Sequence, residues 1–354
     1  MDNKQTSLFI LIPGFPADEN DTTCLPAQQL LVKAINASSP EIKITIIAFQ
    51  YPFTNRVYYW YGNLVIPLNG QNKGKFSRLL VWRKAWLKLK ELRQVANVTG
   101  IFSCWCTECA LVGKYFARRY SLKHFTWICG QDARKANKLV KLIRPAGDSL
   151  IAISDFLQRE FYRSHGIKPS HIVPIGIDKA MYQPEFQQQP RDIDLIGVGS
   201  LIPLKQYGLF IEVVAALKQR CPFIKAIICG EGIEKPALQK LIDTMGLQYN
   251  VLLMGSRPHI EIIQLMHRSK ILLHPSSYEG FGAVCMEALY AGVHVISFCK
   301  PLEKDIIHWS IVATKEKMIE TALRTINNPF EEYQPVLVND VTTSAKAIMN
   351  LYDY

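Results

Sequence analysis

The residues best placed to do chemistry lie in Ile271-Leu-Leu-His-Pro-Ser-Ser-Tyr-Glu-Gly-Phe-Gly-Ala-Val-Cys-Met-Glu-Ala-Leu-Tyr-Ala-Gly292. An apolar run that reads as a buried strand enters a loop with two glycines. A helix is then expected to start near Gly282 and stop at Gly292. Ligands of open α/β sheets bind where strands end, and a helix N-terminus there offers N–H groups and a positive dipole to an anion such as phosphate. Glu279 in the loop and Glu287 in the helix would repel a phosphate, but carboxylates accept hydrogen bonds well from the hydroxyls of a sugar or ribose. The local chemistry fits a ligand with both phosphate and many hydroxyls; the plainer reading is two solvated carboxylates.

Gly197-Val-Gly-Ser-Leu-Ile-Pro-Leu-Lys205 also follows a strand. It matches two glycines of the dinucleotide fingerprint, with Ile202 where the third belongs, so a nicotinamide site is poorly supported. Lys205 is instead placed to meet a diphosphate as a point charge, or is a solvated residue at a helix start. Gly230-Glu-Gly232 ends the next strand, where it would allow a ligand close to the backbone or simply form a tight turn. In the first half, Gly14 of Pro13-Gly-Phe-Pro16 stands at a similar strand end. Asp132 of Cys129-Gly-Gln-Asp132 is a candidate to hold an acceptor hydroxyl, or to cap its own loop.

Cys104, Cys106, Cys109 and Cys129 raise the question of zinc, but they lack a second paired motif and read as buried thiols. No metal site is expected, and lone histidines such as His274 read as packed. The segment 73–93 carries eight Lys and Arg against one carboxylate, with Leu79, Trp82, Trp86 and Leu89 at helical steps. That is the composition of an interfacial helix with a tryptophan-bearing apolar side, or of a solvated helix packed through it.

Strands that end at such loops must come from parallel sheets. Short β-branched runs are expected at 8–12, 42–49, 101–104, 125–128 and 150–153, then at 195–198, 225–229, 251–254, 271–274 and 293–297. Helical stretches separate most of them, so the chain reads as two doubly wound α/β units facing a cleft. The joint is expected in the polar, Pro-flanked stretch Met181–Arg191, dividing a domain of 1–180 from one of 181–340. A last helical run, Val341–Leu351, is assignable to either by spacing.

At 354 residues, 49% hydrophobic and 20% charged, the chain is globular; disordered, collagen-like and disulfide-scaffold readings are excluded. No run reaches the roughly 18 apolar residues of a membrane span, and nine cysteines in odd number suit reduced thiols, so a cytoplasmic protein is expected. Residues 1–185 hold 25 Lys and Arg against 13 Asp and Glu, whereas residues 186–354 hold 16 against 17. A basic first half suggests an anionic partner, which includes acidic glycan, nucleic acid or the anionic face of a bilayer. No nucleic-acid module or grouped stacking aromatics are found.

In combination these segments resemble the retaining, nucleotide-sugar-dependent glycosyltransferases of the GT-B fold, family 4. The resemblance runs from Leu195 to Ser297 and centres on Glu279-Gly-Phe-Gly-Ala-Val-Cys-Met-Glu287, similar to the family's E-x7-E element; Val173-Pro-Ile-Gly-Ile-Asp178 is similar to its pre-linker segment. It implies two Rossmann-like domains, a nucleoside-diphosphate sugar as donor substrate, no cofactor or metal, and a terminal helix 341–354 that returns to the first domain. It also implies roles: Lys205 on the donor diphosphate, Glu279 with the backbone of Gly280, Phe281 and Gly282 on the transferred sugar, Glu287 on the ribose, and Gly14 near the phosphates. Three positions depart from the pattern. Ser200 stands where an Arg accompanies the Lys, leaving Arg257 or another group to supply that charge. Cys129 replaces a His, which leaves Asp132 or backbone to act, and Ile175 replaces an Asn.

The acceptor implied is a lipid-linked or cell-surface glycan, at the inner face of the cell membrane. Two other readings stay open. A nucleotide-sugar epimerase or phosphorylase on the same fold would need no separate acceptor or would depend on inorganic phosphate. A basic binding protein for nucleic acid or acidic glycan would bind no nucleotide sugar.

Overall fold

In a computed structural model, which describes residues 6–187, 189–328 and 332–353, the chain forms two compact units. One runs to Gly176 and resumes at Val341; the other is Ile177–Asp340.

The first unit is built from β1 (Thr6–Gly14), α1 (Pro26–Ser38), β2 (Lys43–Tyr51), β3 (Tyr58–Trp60), β4 (Asn63–Pro67), α2 (Lys75–Val95), β5 (Asn97–Cys104), α3 (Glu108–Tyr120), β6 (Lys123–Ile128), α4 (Leu139–Ile143), β7 (Leu150–Ala152), α5 (Asp155–His165) and β8 (His171–Ile172). Its sheet has the order β3-β4-β2-β1-β5-β6-β7-β8. Among the described residues its pairs are parallel except β3–β4. Strands such as Leu8–Ile12 are buried on both faces, which is why they read as continuous apolar runs.

The second unit comprises α6 (Pro184–Gln187), β9 (Ile193–Val198), α7 (Tyr207–Lys218), β10 (Ala226–Cys229), α8 (Lys235–Thr244), β11 (Val251–Gly255), α9 (His259–His267), β12 (Ser269–His274), α10 (Ala283–Tyr290), β13 (His294–Ser297), β14 (Trp309–Ile311) and α11 (Lys315–Ile326). The sheet order β11-β10-β9-β12-β13-β14 reverses direction between β9 and β12. Loops leaving those two strands in opposite directions open a crevice at their carboxyl ends. The core packs Leu195, Phe210, Val214, Ile228, Leu273 and Met318 between sheet and helices.

The joint expected at Met181–Arg191 lies elsewhere. The units divide between Gly176 and Ile177, upstream of residue 180, because Tyr182 and Phe186 are buried in the second unit. The Tyr182 ring meets Tyr290 edge-on at 4.7 Å and Phe186 packs on His267 at 5.8 Å. Two aromatic anchors outweigh the polar composition around them. The final helix, α12 (Val341–Asn350), packs on α1 in the first unit. Ser344 Oγ donates to Pro174 O at 2.8 Å, and the buried Tyr352 fits against Gly100, where a Cβ would lie 2.3 Å from its ring.

Helix α2 follows the second of the two readings its sequence left open, a helix packed through its tryptophans. Trp82, Trp86 and Leu89 face the core, with Val81 and Ala85. Trp82 Nε1 donates to Glu108 Oε2 at 3.0 Å, and Trp86 meets Phe116 edge-on. The tryptophan side is therefore the packed side, and Leu79 is not part of it, being 54% exposed. Among the described residues no helix is long and apolar enough to cross a membrane.

Candidate functional site

The crevice of the second unit brings together two of the residues that the sequence singled out, Lys205 and Glu279. Lys205 ends the loop after β9 and Glu279 lies in the loop after β12, so the two strands flanking the reversal bring them together. Lys205 Nζ stands 2.6 Å from Glu279 Oε2, with both side chains about four-fifths buried. The loops are tied by backbone, since Ser277 N donates to Leu204 O at 3.0 Å.

A third member was not foreseen. His274, the last residue of β12, places Nε2 3.0 Å from the same Glu279 oxygen. Burial alone would raise the Glu279 pKa, but the His274 hydrogen bond and the Lys205 charge together hold it at about 2. Burial, aided by the Lys205 charge, outweighs Glu279 and lowers the pKa of His274. An ionised carboxylate only accepts, so the neutral imidazole donates through Nε2. Nothing in the sequence marks this histidine except its position at the end of a strand.

Helix α10 begins just beyond. Its N-cap, Gly282, adopts φ +71° and offers no capping side chain. The first intrahelical bonds run from Cys285 N and Met286 N to Gly282 O, so the N–H groups of Ala283 and Val284 precede the ladder. Phe281 has its ring buried, which leaves only its backbone for a ligand. Gly292 lies two residues past the helix end with φ +77°.

Glu287, one turn into α10, meets a second unforeseen histidine. His259 Nε2, at the start of α9, lies 2.8 Å from Glu287 Oε1. Burial opposes protonation of His259, yet the charge and hydrogen bond of Glu287 raise its pKa above the ordinary value. Tyr182 Oη donates to Glu287 O at 3.4 Å.

The glycine turns serve the loops themselves. Gly230 approaches the β9 loop so closely that a Cβ would lie 1.9 Å from Gly199 O, and one on Gly232 would lie 2.3 Å from Leu201 O. The close approach is backbone to backbone. Ser200 is exposed on that loop. Arg257, beyond β11, pairs loosely with Glu261 at 3.8 Å, and no interaction joins it to Lys205 or Glu279 among the described residues.

In the first unit Gly14 ends β1, with room for a Cβ only at contact distance from Tyr51. Of the two roles open to Asp132, the geometry favours satisfying its own loops over holding an acceptor hydroxyl. It is 4% exposed, and its carboxylate accepts from the N–H groups of Cys106 at 2.8 Å, Gly130 at 2.8 Å and Cys129 at 3.2 Å. Burial outweighs these bonds and raises its pKa to about 6. A carboxylate so engaged locks the loops after β5 and β6 rather than presenting itself to a hydroxyl. Cys104, Cys106 and Cys109 are buried, and burial pushes their thiols up. Among the described residues no group of three potential ligands is arranged for a metal.

Comparison with known proteins bears on the family and the fold. Residues 179–327 match the family model described as glycosyl transferases group 1. The gpi3 subunit of phosphatidylinositol N-acetylglucosaminyltransferase from Schizosaccharomyces pombe is 27% identical over 63% of this chain and 49% of its own length. Glycogen synthase of Mycobacterium tuberculosis is 30% identical over 49% of this chain and 43% of its own. The chain thus spans about half the length of these curated relatives. Among solved structures, Anabaena HepE in complex with UDP and glucose superposes with a TM-score of 0.68 at 17% identity, covering 99% of this chain and 97% of that one. WaaG, a glycosyltransferase involved in lipopolysaccharide biosynthesis, gives 0.65 at 15% identity over 98% and 96%. The matched segment, residues 179–327, carries Lys205, Glu279 and Glu287, and the chain as a whole has the two-domain GT-B fold.

Proposed function

We propose that the protein is a retaining glycosyltransferase that moves a sugar from a nucleoside-diphosphate sugar to a lipid-linked or cell-surface glycan, in polysaccharide biosynthesis, without a metal or cofactor. The observation that carries this reading is the Lys205–Glu279–His274 cluster beside the N-terminus of α10. A HepE structure holds UDP-glucose on the same fold, which supports a nucleotide sugar as donor.

The chemistry follows from the charges. Departure of the diphosphate develops negative charge, which Lys205 and the free N–H groups of α10 are placed to stabilise. Without donor, Lys205 is neutralised by Glu279, so an incoming diphosphate takes over the ammonium and frees Glu279 to accept hydrogen bonds from sugar hydroxyls. Glu279 stays ionised, held by His274, and therefore binds and orients rather than protonating a leaving group. Glu287, steadied by His259, would take the ribose hydroxyls. Arg257 would need to leave Glu261 to assist the diphosphate.

The basic first unit supports action at the inner, anionic face of the cell membrane by a cytoplasmic protein, and the nine free thiols accord with a reducing compartment. A thermal-shift screen against nucleoside diphosphates and their sugars tests the donor site. A ligand at ~100 times its Kd should stabilise by about 2.7 kcal/mol. A base-selective shift that weakens in Lys205→Ala is expected; no shift with any nucleotide would refute the reading.

A further inference from the structure

The face of α2 turned away from the core is apolar and basic at once. Phe76 is 86% exposed, Leu80 60% and Leu87 51%. Steps of four and seven residues align these three along one side of the helix. A folded chain normally buries such a row or covers it, and none of these side chains joins the core of the first unit.

The charges around the row are mostly basic, and the one carboxylate of α2, Glu91, is paired with a lysine. Arg78 pairs with Glu108, Lys88 with Glu91, and Arg93 lies over the Tyr120 ring. Lys73, Arg83, Lys84 and Lys90 are exposed and meet no carboxylate among the described residues. Three of them, Lys73, Arg83 and Lys84, line a groove of about 250 Å³ between α2 and the loop at Leu68–Gly70, with Leu80 and Leu87 in its wall. Cations beside an open apolar wall suit a phosphate ester attached to an acyl chain better than a free sugar or an acidic protein, since one end of that ligand is charged and the other apolar.

We propose that this face of α2 docks the protein on an anionic bilayer, with a lipid phosphate seated among Lys73, Arg83 and Lys84 and with Phe76, Leu80 and Leu87 entering the headgroup layer. The proposal rests on the membrane side of the proposed function and names its surface. The sequence pattern left the tryptophan side of the helix either interfacial or packed, and the fold packs it. The opposite face carries the proposal, and only the fold reveals it.

Cosedimentation of the full chain with vesicles tests it, using phosphatidylcholine alone and phosphatidylcholine mixed with phosphatidylglycerol. Binding to the mixed vesicles only, weakening with salt, is expected. Each Lys or Arg at such a surface contributes roughly five-fold in partitioning, so Arg83→Glu with Lys84→Glu should reduce it by about 25-fold or more. Phe76→Ser with Leu80→Ser should weaken binding at high salt as well. These positions are exposed, and an unchanged melting temperature with the nucleotide shift retained confirms that the variants fold. Equal binding to neutral vesicles, or no binding to either, overturns the proposal. Variants that bind as wild type overturn the assignment to α2, and so does binding of inorganic phosphate by a protein that ignores vesicles. Each of these failures leaves the nucleotide shift, and hence the transferase reading, standing.

Discussion

A carboxylate held at about 2 by a neutral histidine and an ammonium is a stability statement as well as a chemical one. Glu279 has an ordinary value of 4.5, and its folded value is depressed. The cluster therefore contributes stability above pH 4.5, and that contribution declines as the pH falls toward 2, by of order 3 kcal/mol in all. Glu279→Gln keeps the shape and removes the titration. The difference in unfolding free energy between wild type and variant, followed by urea melts, should shrink across that window; a difference constant with pH would show that Glu279 is not ionised against Lys205 and His274. The identities of Lys205, Glu279 and Glu287 were legible because their types and the loops carrying them suffice to suggest anion and hydroxyl recognition. His274 and His259 were not, because each acts on a partner that the folded loop brings to it. Asp132 stayed between two readings for a related reason: a carboxylate just past a strand satisfies its own loop or a ligand with the same chemistry, and the three backbone donors around it favour the loop.

Most of the buried parallel strands were legible as apolar runs, even those of three to five residues, whereas β3, β8 and β14, with burial that is only partial, carry no such run. Helix α2 shows the limit for helices. Apolar residues occupy both of its sides, and the pattern alone does not say which side meets the sheet. Turns carry a similar ambiguity, since a glycine serves a ligand or another stretch of backbone. The structure puts Gly230 against Gly199 O with φ +150°, so Gly230→Ala must displace the β9 loop. It should cost about 3 kcal/mol, from strain and overpacking together. Gly246 is the control: it has φ +66° with nothing within 4 Å, and its change to Ala should cost about 1 kcal/mol. Urea unfolding of both variants compares them directly, and equal losses would mean that the close approach of the two loops does not constrain the site.

At the scale of the whole molecule, the chain leaves its first unit at Gly176 and comes back to it at Val341. Two doubly wound units were legible from the alternation of strands and helices, and the return of the last helix followed from family resemblance, because an amphipathic run carries no address. The address lies in its partners. Ala345, Ile348 and Met349 are buried, Tyr352 Oη donates to Ile101 O at 2.8 Å, and its ring meets Phe125 edge-on at 5.2 Å. These contacts fasten the C-terminal segment to the central strands β5 and β6, and Gly100 is the residue that leaves room for the ring. Tyr352→Ala should then destabilise the first unit by about 3–5 kcal/mol, the range for removing a buried aromatic ring. Because the second unit has its own core, hydrogen exchange should accelerate in β5 and β6 and hold steady in β9 and β12. Acceleration spread evenly over all four strands would mean that the two units open together; none in β5 and β6 would mean that the last helix does not hold the first unit closed.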